Sequence, residues 1–274
     1  MRSPLRARCA ALLAGAALLA GTAWADAPLP EVPPAASERI GYAFDYPRVL
    51  AQQRLFGIAH GISLLAAACL DVPETTEEIQ GTYGAWRERQ QETIDAAIAE
   101  LSAYYHGDTE FASDWLSLAR TLRLKEEIGY APDSVELKAA CATLSQALAQ
   151  PRYDLRERIR LEELMARTVA AVGIEARNGY CRGLFADDMR TVHDARHAVW
   201  LEINRPLMQE AAATLARDWP ADAPAATFAD WLAELRRETT MRGSPADCIV
   251  FSATLKQPET ALRNAFNLPP PRPK

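Results

Sequence analysis

Two stretches decide the fold: Cys141 to Leu155, CATLSQALAQPRYDL, and Cys248 to Leu262, CIVFSATLKQPETAL. Laid on one another without a gap, they coincide at Cys141 and Cys248, Ser145 and Ser252, Leu148 and Leu255, Gln150 and Gln257, Pro151 and Pro258, and Leu155 and Leu262. Further matches lie upstream in the same order. Asp114-Trp115-Leu116 corresponds to Asp230-Trp231-Leu232, Trp86-Arg87-Glu88 to Trp200-Leu201-Glu202, and Cys69 to Cys181. Ordered recurrence of Cys and Trp marks an internal repeat, and the spacers between these anchors vary in length as loops do.

Apolar residues recur at three- and four-residue steps throughout, without the alternation of strands. The expected fold is therefore all-α: two tandem four-helix units, 41–152 and 153–267. In the first unit, helices are predicted over 48–70, 75–105, 112–127 and 134–149; in the second, over 155–180, 186–216, 227–239 and 245–256. Pro73, Asp108, Asp133 and the Ser244-Pro245 pair supply stop or start signals. Pro206 falls inside the second long helix of the later unit, where loss of a backbone donor predicts a kink or a break. Gly81 and Gly84 weaken its counterpart.

The N-terminus carries Arg2, Arg6 and Arg8, then an apolar run from Cys9 to Ala20, then small residues at Ala23 and Ala25. Those are the three parts of a secretory signal over 1–25, with cleavage expected before Asp26. A bacterial periplasmic or secreted location follows as the expectation. Residues 26–40 read as a Pro-rich linker and 268–274 as a disordered tail. Beyond the signal, no uncharged stretch reaches the roughly 18 residues of a spanning helix, so no stable membrane insertion is expected after its removal.

The chain has 274 residues, of which 49% are apolar and 24% charged, the composition of a globular protein. Its formal charge of -6 becomes -9 when the three signal arginines are removed. Such an acidic chain disfavours nucleic acid and anionic membrane surfaces, both of which select positive charge.

Four cysteines remain after the signal, an even number suited to an oxidising compartment. Each unit holds one at the end of its first helix and one in its fourth, which favours Cys69 with Cys141 and Cys181 with Cys248. Each pairing closes a loop of roughly 70 residues, worth about 4 kcal/mol in the chain-entropy model. The short Cys-x-x-Cys spacing of a zinc site is absent.

The second helix of each unit carries an apolar stripe: Ile79, Tyr83, Trp86, Gln90, Ile94, Ala97, Leu101 and Tyr105, matched by His193, His197, Trp200, Asn204, Met208, Ala211, Leu215 and Trp219. Trp86 with Gln90 and Trp200 with Asn204 put an amide one turn after an indole. Within a core such an amide needs a hydrogen-bond partner; in an open pocket the same four residues would read a ligand. His193 and His197 lie one turn apart and could give two nitrogens to a divalent transition metal. A third ligand would come from a distant residue such as His60, His106, Glu162 or Glu163. Glu88 and Glu202, beside the tryptophans, read as surface or salt-bridge groups rather than an acid/base pair. Nucleophile-elbow, phosphate-loop and dinucleotide motifs are absent.

These features favour an exported, non-catalytic binding or inhibitory module with a periplasmic protein partner and no cofactor. Two alternatives stand beside it: a metal-binding or metal-sensing protein using His193 and His197, and an enzyme whose site is assembled from distant residues.

Overall fold

Side-chain caps start five of the helices. Asp114 accepts a hydrogen bond from the Ser117 amide, Ser134 from Leu137, Asp154 from Arg156 and Glu157, and Thr227 from Asp230, while Ser244 and Asp247 form a reciprocal capping box. Pro47 and Pro245 open two helices at the position where a missing N–H costs nothing. The computed structural model describes residues 41–44, 46–107, 114–257 and 260–267. The signal, the linker and the C-terminal tail, as well as Asp108 and Pro258, lie outside the described residues.

Among the described residues there are eight α-helices and no strand. They are α1 (Pro47–Ala68), α2 (Thr76–His106), α3 (Trp115–Thr121), α4 (Val135–Leu148), α5 (Leu155–Leu184), α6 (Asp187–Arg217), α7 (Phe228–Glu238) and α8 (Pro245–Thr254). Short 3-10 turns at Cys69–Asp71, Pro151–Tyr153 and Leu262–Asn264 join or follow them. Helix α1 packs on α2, α5 packs on α6, and α1 also meets α5 within one compact unit.

Two expectations need correction. Helix α3 ends at Thr121 rather than near Glu127, because Arg123 turns into the left-handed region (φ 54°) and the Leu124 amide bonds back to the Ala119 carbonyl. Helix α6 is not broken at Pro206 and runs continuously from Asp187 to Arg217. Pro206 and Glu202, whose carbonyl loses its donor, are both exposed, so solvent can satisfy that group. Helix α2 likewise runs unbroken through Gly81 and Gly84.

Cys69 is joined to Cys141 and Cys181 to Cys248, with Cα atoms 5.6 and 5.3 Å apart. All four cysteines are buried, and the two crosslinks indicate an oxidising environment. Trp86, Ile94, Leu144, Leu148 and Leu155 pack around the first bond; Trp200, Phe251, Leu255 and Leu262 pack around the second. Phe56, Leu101, Tyr105 and Leu118 form a third cluster, and Leu161, Leu164, Leu215 and Phe228 a fourth. Helix α5 supplies residues to three of these four clusters.

Among the described residues, one helix with its following turn (Pro47–Asp71) is long and apolar enough to cross a membrane. It is a core helix here: Leu55, Phe56, Ala59 and Ile62 are buried, together with Gln52, Gln53 and His60.

Candidate functional site

The four residues singled out as candidate ligand readers are buried and internally bonded. Trp86 Nε1 donates to the Tyr153 carbonyl at 2.8 Å, and Gln90 Oε1 accepts from the Leu155 amide at 3.0 Å. In the second half, Trp200 Nε1 donates to the Thr260 carbonyl at 2.7 Å and Asn204 Oδ1 accepts from the Leu262 amide at 2.9 Å. Asn204 also returns its amide N–H to the Trp200 carbonyl at 2.8 Å. Leu155 is the first residue of α5, so Gln90 satisfies one of the amides that a helix start leaves without an internal partner. These side chains fasten the segment after each disulfide to the long helix before it.

His193 is fully buried between Phe185, 5.1 Å away in an edge arrangement, and Phe251 at 6.0 Å. Neither of its ring nitrogens has a hydrogen-bond partner among the described residues. Burial pushes the imidazole below its ordinary pKa; the backbone at Asn178 and the Asp194 carboxylate oppose that shift, while His197 and Arg196 add to it. His197 stacks on Trp200 at 5.7 Å, with Nε2 3.3 Å from a Glu175 oxygen.

Three of the candidate third ligands have partners of their own, and the fourth is exposed. His60 is held by the Trp115 indole N–H on Nδ1 and by the Lys125 carbonyl on Nε2, which fixes the tautomer with the proton on Nε2. Glu162 pairs with Arg54, Glu163 pairs with Arg167, and His106 sits exposed at the end of α2. Among the described residues, no three His, Cys, Asp or Glu side chains gather to hold a metal. Glu88 and Glu202 are both exposed.

A site that sequence reasoning did not single out lies between α5, α6 and α7. It is a cavity of about 340 Å³ walled by Thr168, Ala171, Val172 and Ala176 of α5, Met208, Ala211 and Ala212 of α6, and Phe228 and Leu232 of α7. Arg167, Glu175 and Arg236 bring charge to this apolar lining. Arg167 Nη2 bonds Glu163, but its Nε is buried without a partner. Glu175 is the carboxylate beside His197. Arg236 is exposed and makes no hydrogen bond or ion pair among the described residues.

Extending the Cys69–Cys181 correspondence backwards pairs Ala59 with Ala171, Gly61 with Gly173 and Ile62 with Ile174. The same register pairs Phe56 with Thr168 and His60 with Val172, both of which line the cavity. Phe56 and His60 instead pack with Trp115, at 4.7 and 6.0 Å, and Arg87 covers the Trp115 ring at 5.1 Å. Phe56 and His60 thus sit in an aromatic cluster with Trp115, while Thr168 and Val172, the residues aligned with them in sequence, line a cavity.

The two Asp-Trp-Leu triplets are used differently. Asp114 caps α3 with Trp115 in its first turn facing His60, whereas Asp230 lies inside α7 and Trp231 clusters with Trp219 and Phe228. Compared with known proteins, the chain matches no family model, no curated sequence and no solved structure.

Proposed function

We propose that this is an exported, non-catalytic binding protein of a bacterial periplasm, built from two copies of one four-helix unit. The observation that carries the binding role is the cavity between α5, α6 and α7: an apolar recess with charged groups along it, set in a scaffold pinned by two buried disulfides. Duplication is supported by the matching fasteners. Trp86 and Gln90 bind the backbone at 153 and 155, and Trp200 and Asn204 bind it at 260 and 262, which are the aligned positions of the two quoted stretches.

Export is supported by the crosslinks and by the arginine-then-apolar N-terminus. A catalytic role has less behind it. The four cysteines after the signal are paired in disulfides, so none of them offers a free thiol.

Expression of the full chain in a Gram-negative host, followed by osmotic shock and intact mass measurement, tests the compartment. The expected product is periplasmic, begins at or within a few residues of Asp26, and has no free thiol. A cytosolic, fully reduced chain retaining residues 1–25 would refute export. Retention of reproducible small-molecule or protein ligands from periplasmic extract tests binding, and a chain that retains none counts against it.

A further inference from the structure

From the lining of this cavity we infer that it takes a small amphipathic carboxylate, with an aliphatic body against the apolar walls and its anionic head on Arg236. The inference deepens the binding function proposed above and rests on it. Size comes first. About 340 Å³ is at the lower end of the ~300–1,000 Å³ typical of small-molecule sites, and suits a compact ligand rather than a protein segment.

The walls settle the body of the ligand. Ala171, Val172, Ala176, Met208, Ala211, Ala212, Phe228 and Leu232 offer no side-chain hydrogen-bond donor, and only the weakly accepting Met208 sulfur as an acceptor, which leaves Thr168 as the hydroxyl among the uncharged lining residues. Met208 is unbranched and adapts to ligands of different shape.

Charge settles the head. Glu175, the acidic group of the lining, already faces His197 at 3.3 Å, and Arg167 is engaged by Glu163. Arg236 is left as an exposed guanidinium without a partner among the described residues, and its planar fork matches a carboxylate. Arg167 Nε, buried and unpartnered, adds a second donor along the same wall.

The residues aligned with Thr168 and Val172 in the first half, Phe56 and His60, are packed in an aromatic cluster. There Phe56, His60 and Trp115 close on one another, and the Trp115 N–H is consumed by His60. Replacing a phenylalanine and a histidine with Thr168 and Val172 removes ring volume at two adjacent turns of the helix. Both of these smaller side chains line the open cavity.

Titration of the oxidised mature chain by calorimetry with octanoate and decanoate, with decylamine and leucine as charge controls, tests the inference. Decanoate is expected to bind at one site per chain, and affinity to rise about fourfold per methylene between the two acids. Arg236→Ala is expected to weaken decanoate by about tenfold or more. Thr168→Phe with Val172→His, which installs the two aligned residues of the first half, is expected to abolish binding. Because that double variant can fail to fold, its helical circular dichroism is read alongside, and Arg236→Ala, on an exposed position, carries the test if the double variant unfolds.

Decylamine or leucine binding as tightly as decanoate overturns the inference, as does an Arg236→Ala chain with unchanged affinity. If the chain proves cytosolic yet binds decanoate through Arg236, the export reading fails and the carboxylate site stands. If it is periplasmic but takes no carboxylate, the site assignment fails while export stands.

Discussion

Removing one disulfide at a time is the sharpest measurement available on this scaffold. Cys69–Cys141 and Cys181–Cys248 close segments of 72 and 67 residues, and the two loops neither overlap nor nest. In the chain-entropy model, each closure removes about 4 kcal/mol of freedom from the unfolded state, and the difference between loops this similar is below about 0.1 kcal/mol. The paired substitutions Cys69→Ala with Cys141→Ala, and Cys181→Ala with Cys248→Ala, avoid burying a hydroxyl where the sulfurs now sit.

Urea unfolding of the oxidised mature chain, followed by helical circular dichroism, gives the free energy of each variant. Both pairs are expected to lose about 4 kcal/mol, and by nearly the same amount. The quadruple variant, losing about 8 kcal/mol, would exhaust the stability of an ordinary domain and be unfolded or nearly so. Losses under about 1 kcal/mol in both pairs would refute loop closure as the source of stability. Losses differing by more than about 2 kcal/mol would show that local packing around one bond, not chain entropy, dominates.

Other perturbations test the fasteners and the buried imidazole. Gln90→Leu and Asn204→Leu each leave a buried backbone amide without an acceptor, at Leu155 and Leu262, and are expected to cost about 1–3 kcal/mol in urea unfolding. Trp115→Phe removes the donor to His60 Nδ1, with an expected loss of the same order. For His193, burial lowers the folded pKa, so the unfolded chain binds the extra proton first as pH falls. Stability contributed by the neutral ring is therefore complete above the unfolded value of 6.5 and declines as pH drops through it toward the folded value, with a slope of at most about 1.4 kcal/mol per pH unit. His193→Ile, the residue at the matching position 79, is expected to flatten that decline in urea midpoints taken from pH 7.5 to 5. Arg54→Ala breaks the pair with Glu162 that links α1 to α5; with Arg54 half exposed, the expected cost is at most about 1 kcal/mol and falls with added salt.

Much of this architecture was legible because helical periodicity and rare residues are local signals. The stripe through Ile79, Trp86, Gln90, Ile94, Ala97, Leu101 and Tyr105 is the buried face of α2, and the cysteine pairs are the two expected from the recurring order of Cys and Trp in the sequence. The Ser244-Pro245 start signal sits where expected, with Ser244 capping α8 and Pro245 as its first residue. What escaped depends on three dimensions. Helix α3 stops where Arg123 adopts a left-handed conformation, and no residue type there announces it. Pro206 is tolerated because it faces solvent, which periodicity alone did not weigh. The cavity needs three helices to be seen. Its one linear trace is the Phe56-to-Thr168 and His60-to-Val172 change, which becomes visible once the alignment is carried upstream of Cys69 and Cys181.

Leu155 has a double duty that constrains any attempt to split the chain. Its amide is the anchor for Gln90, and the same residue begins α5, the helix that goes on to Cys181. A scissile point placed before Tyr153 would strip the leading fragment of both backbone groups its indole and carboxamide grip. An N-terminal piece that is to keep both bonds must therefore extend into the opening turn of α5.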